Sequence, residues 1–255
     1  MHTSSAASPD DRSDPTPQAP PAPPDRTRLR VLEPADLDDA AAMLSRGFAD
    51  EPGTVELFPD PAIRLRLSEL VFGRELRASL PYGTVHGVEL DGRPVAVAIW
   101  HPPHVRARSL TATARMCRGL LSEAPRAARG LPRAVSVVVR HVPGSVRLLR
   151  ARREAVQIAS AGPSWHLAFL ATDPQHRGRG SARRLLEHVL ARADADGLAV
   201  WLETTEPVNP PIYRRFGFRT VAHIDDAAWL PGLWVMRREP QRADSHGPDP
   251  GSTGG

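Results

Sequence analysis

The residues with the clearest chemical potential stand together at Gln175, His176, Arg177, Gly178, Arg179 and Gly180. They lie between the strand-like run "WHLAFLA" and a helical pattern that starts at Ser181. Such a loop presents unpaired backbone amides at a helix N-terminus, where the helix dipole also favours negative charge. Two glycines allow dihedrals that side chains resist and let a ligand come close to the backbone. Arg177 and Arg179 can add charge-assisted hydrogen bonds. The chemistry implied is the holding of an anion of the phosphate type. A dinucleotide fingerprint is excluded because Arg183 stands where its third glycine belongs. The chain has no lysine, so a Walker A loop, a Schiff base and a Ser-x-x-Lys acyl enzyme are excluded as well.

The elements that must position this loop read as a βαβ unit. After the loop, Ala182, Leu185, Leu186, Val189, Leu190 and Ala193 recur at helical spacing. "LAVWLETT" follows as a strand with two apolar faces, hence parallel to the first. Upstream, a short strand and a helix from about Asp36 precede a second helix. Asp60 is its expected N-cap, Pro61 its first residue, and Ile63, Leu67, Leu70 and Val71 its buried face. "GTVHGVELDGRPVAVAIWHPP" predicts a hairpin turning at Asp91-Gly92 and stopped by Pro102 and Pro103. His101 and His104 beside these prolines read as solvent-facing loop histidines. The end of the chain predicts a short helix, a break at Gly217 and two strands. One mixed α/β domain accounts for residues 28–238. Residues 1–27 are a Pro-rich tail expected to be disordered, and so are residues 239–255.

Residues 104–160 form an arginine-rich helical insert, with twelve Arg against Glu123 and Glu154. Its net charge of +10 exceeds the +4 of the whole chain, so the remainder is net negative. A solvated face, a lid over a site, or a surface for an acidic ligand all fit that composition. Without aromatic residues the insert is poorly suited to base stacking, and nucleic acid is not an expected partner. The single cysteine, Cys117, cannot form an internal disulfide. No metal site is expected, and no membrane span or secretory leader is read. The expected location is cytoplasmic.

Two ordered motifs resemble the GNAT superfamily of acetyl-CoA-dependent N-acetyltransferases. The first is Q/R-x-x-G-x-G/A at residues 175–180, following a hydrophobic strand and "DP". The second is the Asn, Tyr and Gly-Phe of "LETTEPVNPPIYRRFGF". Within the superfamily, "FADEP", "IWHPP", "WHLAFLATDP" and "WLETTEPVN" are most similar to the puromycin N-acetyltransferase-like group. The resemblance covers about residues 28–238. It implies a mixed, mostly antiparallel sheet with a central splayed parallel strand pair flanked by helices. It implies acetyl-CoA as co-substrate, with its pyrophosphate on the amides of Arg177 to Ser181 and its pantetheine arm along Leu170, Ala171 and Thr172. One amide of that strand would stabilise the tetrahedral oxyanion. Asn209 would anchor the pantetheine or the neighbouring backbone, and Tyr213 would protonate the departing thiolate.

The base that takes the amine proton is Glu203 or His166. Glu203 ends the strand "VWLET". His166 is read as sharing a face with Ala168, Leu170 and Thr172 by the two-residue period. Glu51 and Trp100 are the residues read on the acceptor side. Glu51 departs from the puromycin N-acetyltransferases, which carry tyrosine there, and a carboxylate favours a cationic amine. The expected reaction is acetyl transfer to a primary amine of a small molecule, with an antibiotic-like or aminonucleoside acceptor as one form of it. Transfer to a protein or peptide amine and non-catalytic acyl-CoA binding are the alternatives. The expected assembly is a monomer or a homodimer.

Overall fold

A computed structural model describes residues 27–57, 59–105, 142–225 and 232–241. The tails outside these bounds, Cys117 and the insert from 106 to 141 lie outside the described residues. Seven strands form one sheet in the order β1-β2-β3-β4-β5-β7-β6. They are β1 (Thr27–Val31), β2 (Val85–Leu90), β3 (Arg93–His101), β4 (Ser164–Thr172), β5 (Ala199–Thr204), β6 (Arg219–Ile224) and β7 (Leu233–Arg238). Each neighbouring pair is antiparallel except β4 with β5. The Asp91-Gly92 turn joins β2 to β3 with positive φ at both residues (51° and 80°), as a type I′ hairpin requires.

The described helices are α1 (Leu37–Gly47), α2 (Pro52–Leu57), α3 (Pro61–Ser79), α4 (Val142–Ala159), α5 (Ser181–Ala195) and α6 (Asn209–Arg214). Helix α5 covers one face of the sheet, packing Leu185, Leu186, Val189 and Leu190 against Trp100, Trp165, Leu167 and Leu202. Each of those four α5 side chains is worth roughly 1.5–3 kcal/mol of apolar burial. The opposite face carries α1 and α3 over Val97, Ile99 and Ala171, and α4 over Trp201 and Val235.

The N-cap of α3 forms as its residue types dictate: Asp60 accepts from the amides of Ala62 and Ile63. Its buried face differs from the expected one. Arg64, Leu67, Ser68, Phe72, Gly73 and Leu76 turn inward, while Leu70 is 42% exposed. The small residues Ser68 and Gly73 let α3 approach α1, where a Cβ at Gly73 would stand 3.9 Å from the Cβ of Ala41. Packing contact, more than apolar count, chose the face.

A bulge in β4 corrects the face of His166. Ile99 pairs with Phe169 but Trp100 pairs with Leu167, so Ala168 is the extra residue. Leu170 and Thr172 therefore face α5. His166 shares the opposite face with Phe169 and Ala171.

Candidate active site

Strands β4 and β5 pair from Ser164↔Ala199 to Leu167↔Leu202 and no further, although both continue. Beyond Leu167 the β5 side of β4 loses its partner, and a cleft of about 480 Å³ opens there. Leu170, Ala171 and Thr172 form one wall. The loop residues His176, Arg177, Gly178, Gly180 and Ser181 form its floor, and Asn209 and Glu206 border it from the β5 side. Gly47, Phe48, Asp50 and Glu51 close it from the end of α1.

The loop is built to leave amides free. Gly178 and Gly180 have φ of 78° and 82°, a region that costs other residues roughly 1–2 kcal/mol. Gly180 is the N-cap of α5 and brings no capping side chain. No backbone N–H from Arg177 to Arg183 finds an acceptor among the described residues, whereas His176 and Arg184 on either side do. That is a run of donors at a helix N-terminus in need of an anion.

Asp173 fastens the loop. It accepts from the Gln175 amide at 3.0 Å and receives both Nε (3.0 Å) and Nη2 (2.8 Å) of Arg46 from α1. Burial alone would raise this carboxyl, but the hydrogen bonds from Arg46 and Gln175 hold it below the usual carboxylate range. Gly47 ends α1 directly over β4: a Cβ there would lie 2.7 Å from that of Ala171. Its carbonyl accepts from Arg177 Nη2 at 3.0 Å. Gln175 and Arg179 are exposed and do not line the cleft; Gln175 sits in a one-turn 3₁₀ helix capped by Asp173.

On the β5 side, Asn209 donates to the Thr204 hydroxyl at 2.9 Å and so ties α6 to the end of the strand. Tyr213 is half-buried, its ring edge-on to Phe218 at 5.7 Å. Burial pushes its phenol up to about 12, so it is protonated at neutral pH and able to give a proton. Burial, then the nearby Glu51 carboxylate, raises Glu206, against the pull of Arg177.

Glu51 reaches the cleft, but its carboxylate is engaged. One oxygen accepts from the amide (2.7 Å) and hydroxyl (2.8 Å) of Thr54, as a helix cap would, and the other from the Thr205 hydroxyl. Trp100, read on the acceptor side, is fully buried in the core under α5 and lines no part of the cleft. The even-numbered end of β3 faces that helix, so its aromatic bulk serves packing.

The two candidate bases lie on the other face of the same strands. Glu203 accepts from Arg152 Nη2 of α4 at 2.5 Å, and its other oxygen is buried without a partner among the described residues. Burial raises this carboxyl despite Arg152. His166 stacks on Trp201 at 3.8 Å and 11°. Burial first, then the proximity of His101 and Arg152, lowers it well below the usual histidine value, so its ring is neutral at pH 7. Sequence reasoning overlooked His101, Glu75 and Arg152. His101 is no loop residue; it ends β3, is buried, and contacts both Glu75 and His166. Register with His166 is the signal that locates it, and register is non-local.

Residues 133–220 match the model of the acetyltransferase (GNAT) domain. An uncharacterized N-acetyltransferase of Schizosaccharomyces pombe is 33% identical over 81 residues, 31% of this chain and 32% of that protein. The match thus spans about a third of that relative's length. Among solved structures, the histone acetyltransferase HPA2 and related acetyltransferase of Corynebacterium glutamicum superposes with a TM-score of 0.57 at 18% identity, covering 86% of this chain and 99% of the other. The polyamine N-acetyltransferase of Drosophila melanogaster, which forms N-acetylagmatine, gives 0.52 at 19%, covering 84% and 99%. These likenesses share the sheet order and the splayed parallel pair as a fold. The chain carries an acetyltransferase domain of the GNAT family.

Proposed function

We propose that the chain transfers the acetyl group of acetyl-CoA directly to a primary amine of a small molecule. The observation that carries this reading is the run of unpaired amides from Arg177 to Arg183, set at the mouth of the gap between β4 and β5. A pyrophosphate on those amides would lead an extended arm along Leu170, Ala171 and Thr172 toward the last paired residues, Leu167 and Leu202. There the amine nitrogen attacks the thioester carbonyl, and an unpaired β4 amide stabilises the oxyanion. The C–S bond then breaks, and Tyr213 protonates the thiolate. A base takes the amine proton, and no covalent enzyme intermediate is required.

Acidic residues at the cleft favour a cationic acceptor: Asp50, Glu51 and Glu206 border it, with Arg177 the nearest counter-charge. An amine that is protonated in water must lose a proton before attack, which is the task of the base. An aminonucleoside or antibiotic-like amine and a polyamine such as the agmatine handled by the Drosophila protein are the classes this reading admits. The test is thiol release from acetyl-CoA against aminonucleosides, aminoglycosides, polyamines and peptides. Release with small amines supports the proposal. Release with peptides alone would replace it by a peptide acceptor, and tight binding without release by an acyl-CoA sensor.

A further inference from the structure

The face of the sheet away from α5 holds a line of ionisable side chains that the cleft does not use. His101 on β3 and His166 on β4 are cross-strand partners, and their Nδ1 atoms lie 3.3 Å apart. The other nitrogen of His101, Nε2, lies 3.0 Å from Oε1 of Glu75 on α3. His101 and Glu75 are well shielded, with side chains 6% and 18% exposed. Arg152 from α4 and Glu203 from β5 complete the charged groups facing His166, and these two are paired with each other. Trp201 covers one face of the His166 ring. Among the described residues no group of three His, Cys, Asp or Glu side chains is placed to hold a metal ion.

We propose that Glu75 and His101 are positioning residues that set His166, and not Glu203, as the general base of the acetyl transfer. This rests on the function proposed above. The argument is one of donors and acceptors. A carboxylate can only accept, so His101 must carry its proton on Nε2, facing Glu75. A neutral His101 then presents a lone pair at Nδ1. For the 3.3 Å contact to be a hydrogen bond, His166 must donate from its own Nδ1. That fixes His166 in the tautomer whose Nε2 is bare, and this nitrogen bonds to no described residue. Nε2 takes the proton from the attacking amine. The Nδ1 proton of His166 passes to Nδ1 of His101, which keeps its Nε2 proton. The positive charge thereby moves from beside Arg152 to beside the Glu75 carboxylate. Glu203 is occupied by contrast: Arg152 stands 2.5 Å from one of its oxygens.

The relay is tested with the full chain and two readouts. Glu75→Gln keeps an acceptor oxygen but removes the charge that favours a protonated His pair. The acid limb of kcat/KM should move to lower pH by about one unit and the plateau fall about tenfold, because a weaker base takes the proton less well. Acetyl-CoA affinity should be unchanged. His166→Asn should cost about 10²–10⁴-fold in kcat, and Glu203→Gln much less. In the ¹⁵N-histidine NMR spectrum of the wild type, His166 should be protonated on Nδ1 and His101 on Nε2. A pH profile of Glu75→Gln superimposable on the wild type, or a His166 proton found on Nε2, would overturn the relay. Failure of the wild type to acetylate any amine would sink the proposed function instead. The tautomer of His166 then decides the relay on its own: a proton on Nδ1 supports it and one on Nε2 refutes it.

Discussion

Replacing Gly180 by glutamate separates the anion site from mere loop geometry. At φ of 82° any side chain is strained by roughly 1–2 kcal/mol, and a Cβ at 180 meets no atom of the chain within 4 Å. The new carboxylate therefore extends into the cleft that Gly180 lines. One carboxylate about 5 Å from one phosphate charge costs about 3 kcal/mol at an effective dielectric constant of about 20. At 1.4 kcal/mol per decade, that is about a 100-fold loss of affinity for CoA. Gly197 supplies the control. Its φ is 66°, its Cβ position is also open, and it sits beyond the C-terminal end of α5. Gly180→Glu and Gly197→Ala should both lower the urea midpoint through the same strain, and only the first should weaken CoA binding by calorimetry. A folded Gly180→Glu protein that binds CoA as the wild type does would refute the assignment of the loop.

Other consequences follow from single contacts. Tyr213→Phe should lower kcat about 10²-fold or more while leaving acetyl-CoA affinity intact, checked by stopped assay and calorimetry; wild-type turnover would remove it as the acid. Asp194 holds the buried Arg238 through bonds of 2.6 and 2.7 Å, so Asp194→Asn strands a guanidinium and should cost about 3–5 kcal/mol in urea unfolding. Asp173 and Asp194 are both held below the usual carboxylate range in the folded state. Their contribution is complete above the unfolded value of about 3.9 and is lost as pH falls through the lower folded values; a stability flat from pH 6 to pH 2 would contradict this.

Local patterns in the chain made part of this structure legible. The α5 stripe, the Asp91-Gly92 hairpin and the Asp60 cap each depend on residues within a few positions of one another, and each forms as their types require. The anion loop belongs with them, since a glycine pair before an amphipathic helix is a local signal. What escaped was set by packing and register. One bulge at Ala168 reversed the face on which His166 was placed. Pro102 and Pro103 suggested that the histidine before them lay in a loop, yet β3 runs through His101 because its partner there is β4. Glu51 looked free for a substrate. Its engagement by Thr54 depends on a helix beginning at Pro52, and that by Thr205 on a contact 154 residues away.

The central claim is a transfer of acetyl from CoA to an amine at the gap between β4 and β5. The most direct measurement is mass spectrometry of a small cationic amine incubated with the protein and acetyl-CoA, alongside titration of released thiol. The account predicts the N-acetylated amine and free CoA in equal amounts, with both lost in Gly180→Glu. Thiol release with acetate as the only product, or acetyl-CoA bound and returned unchanged across the amine panel, would contradict it.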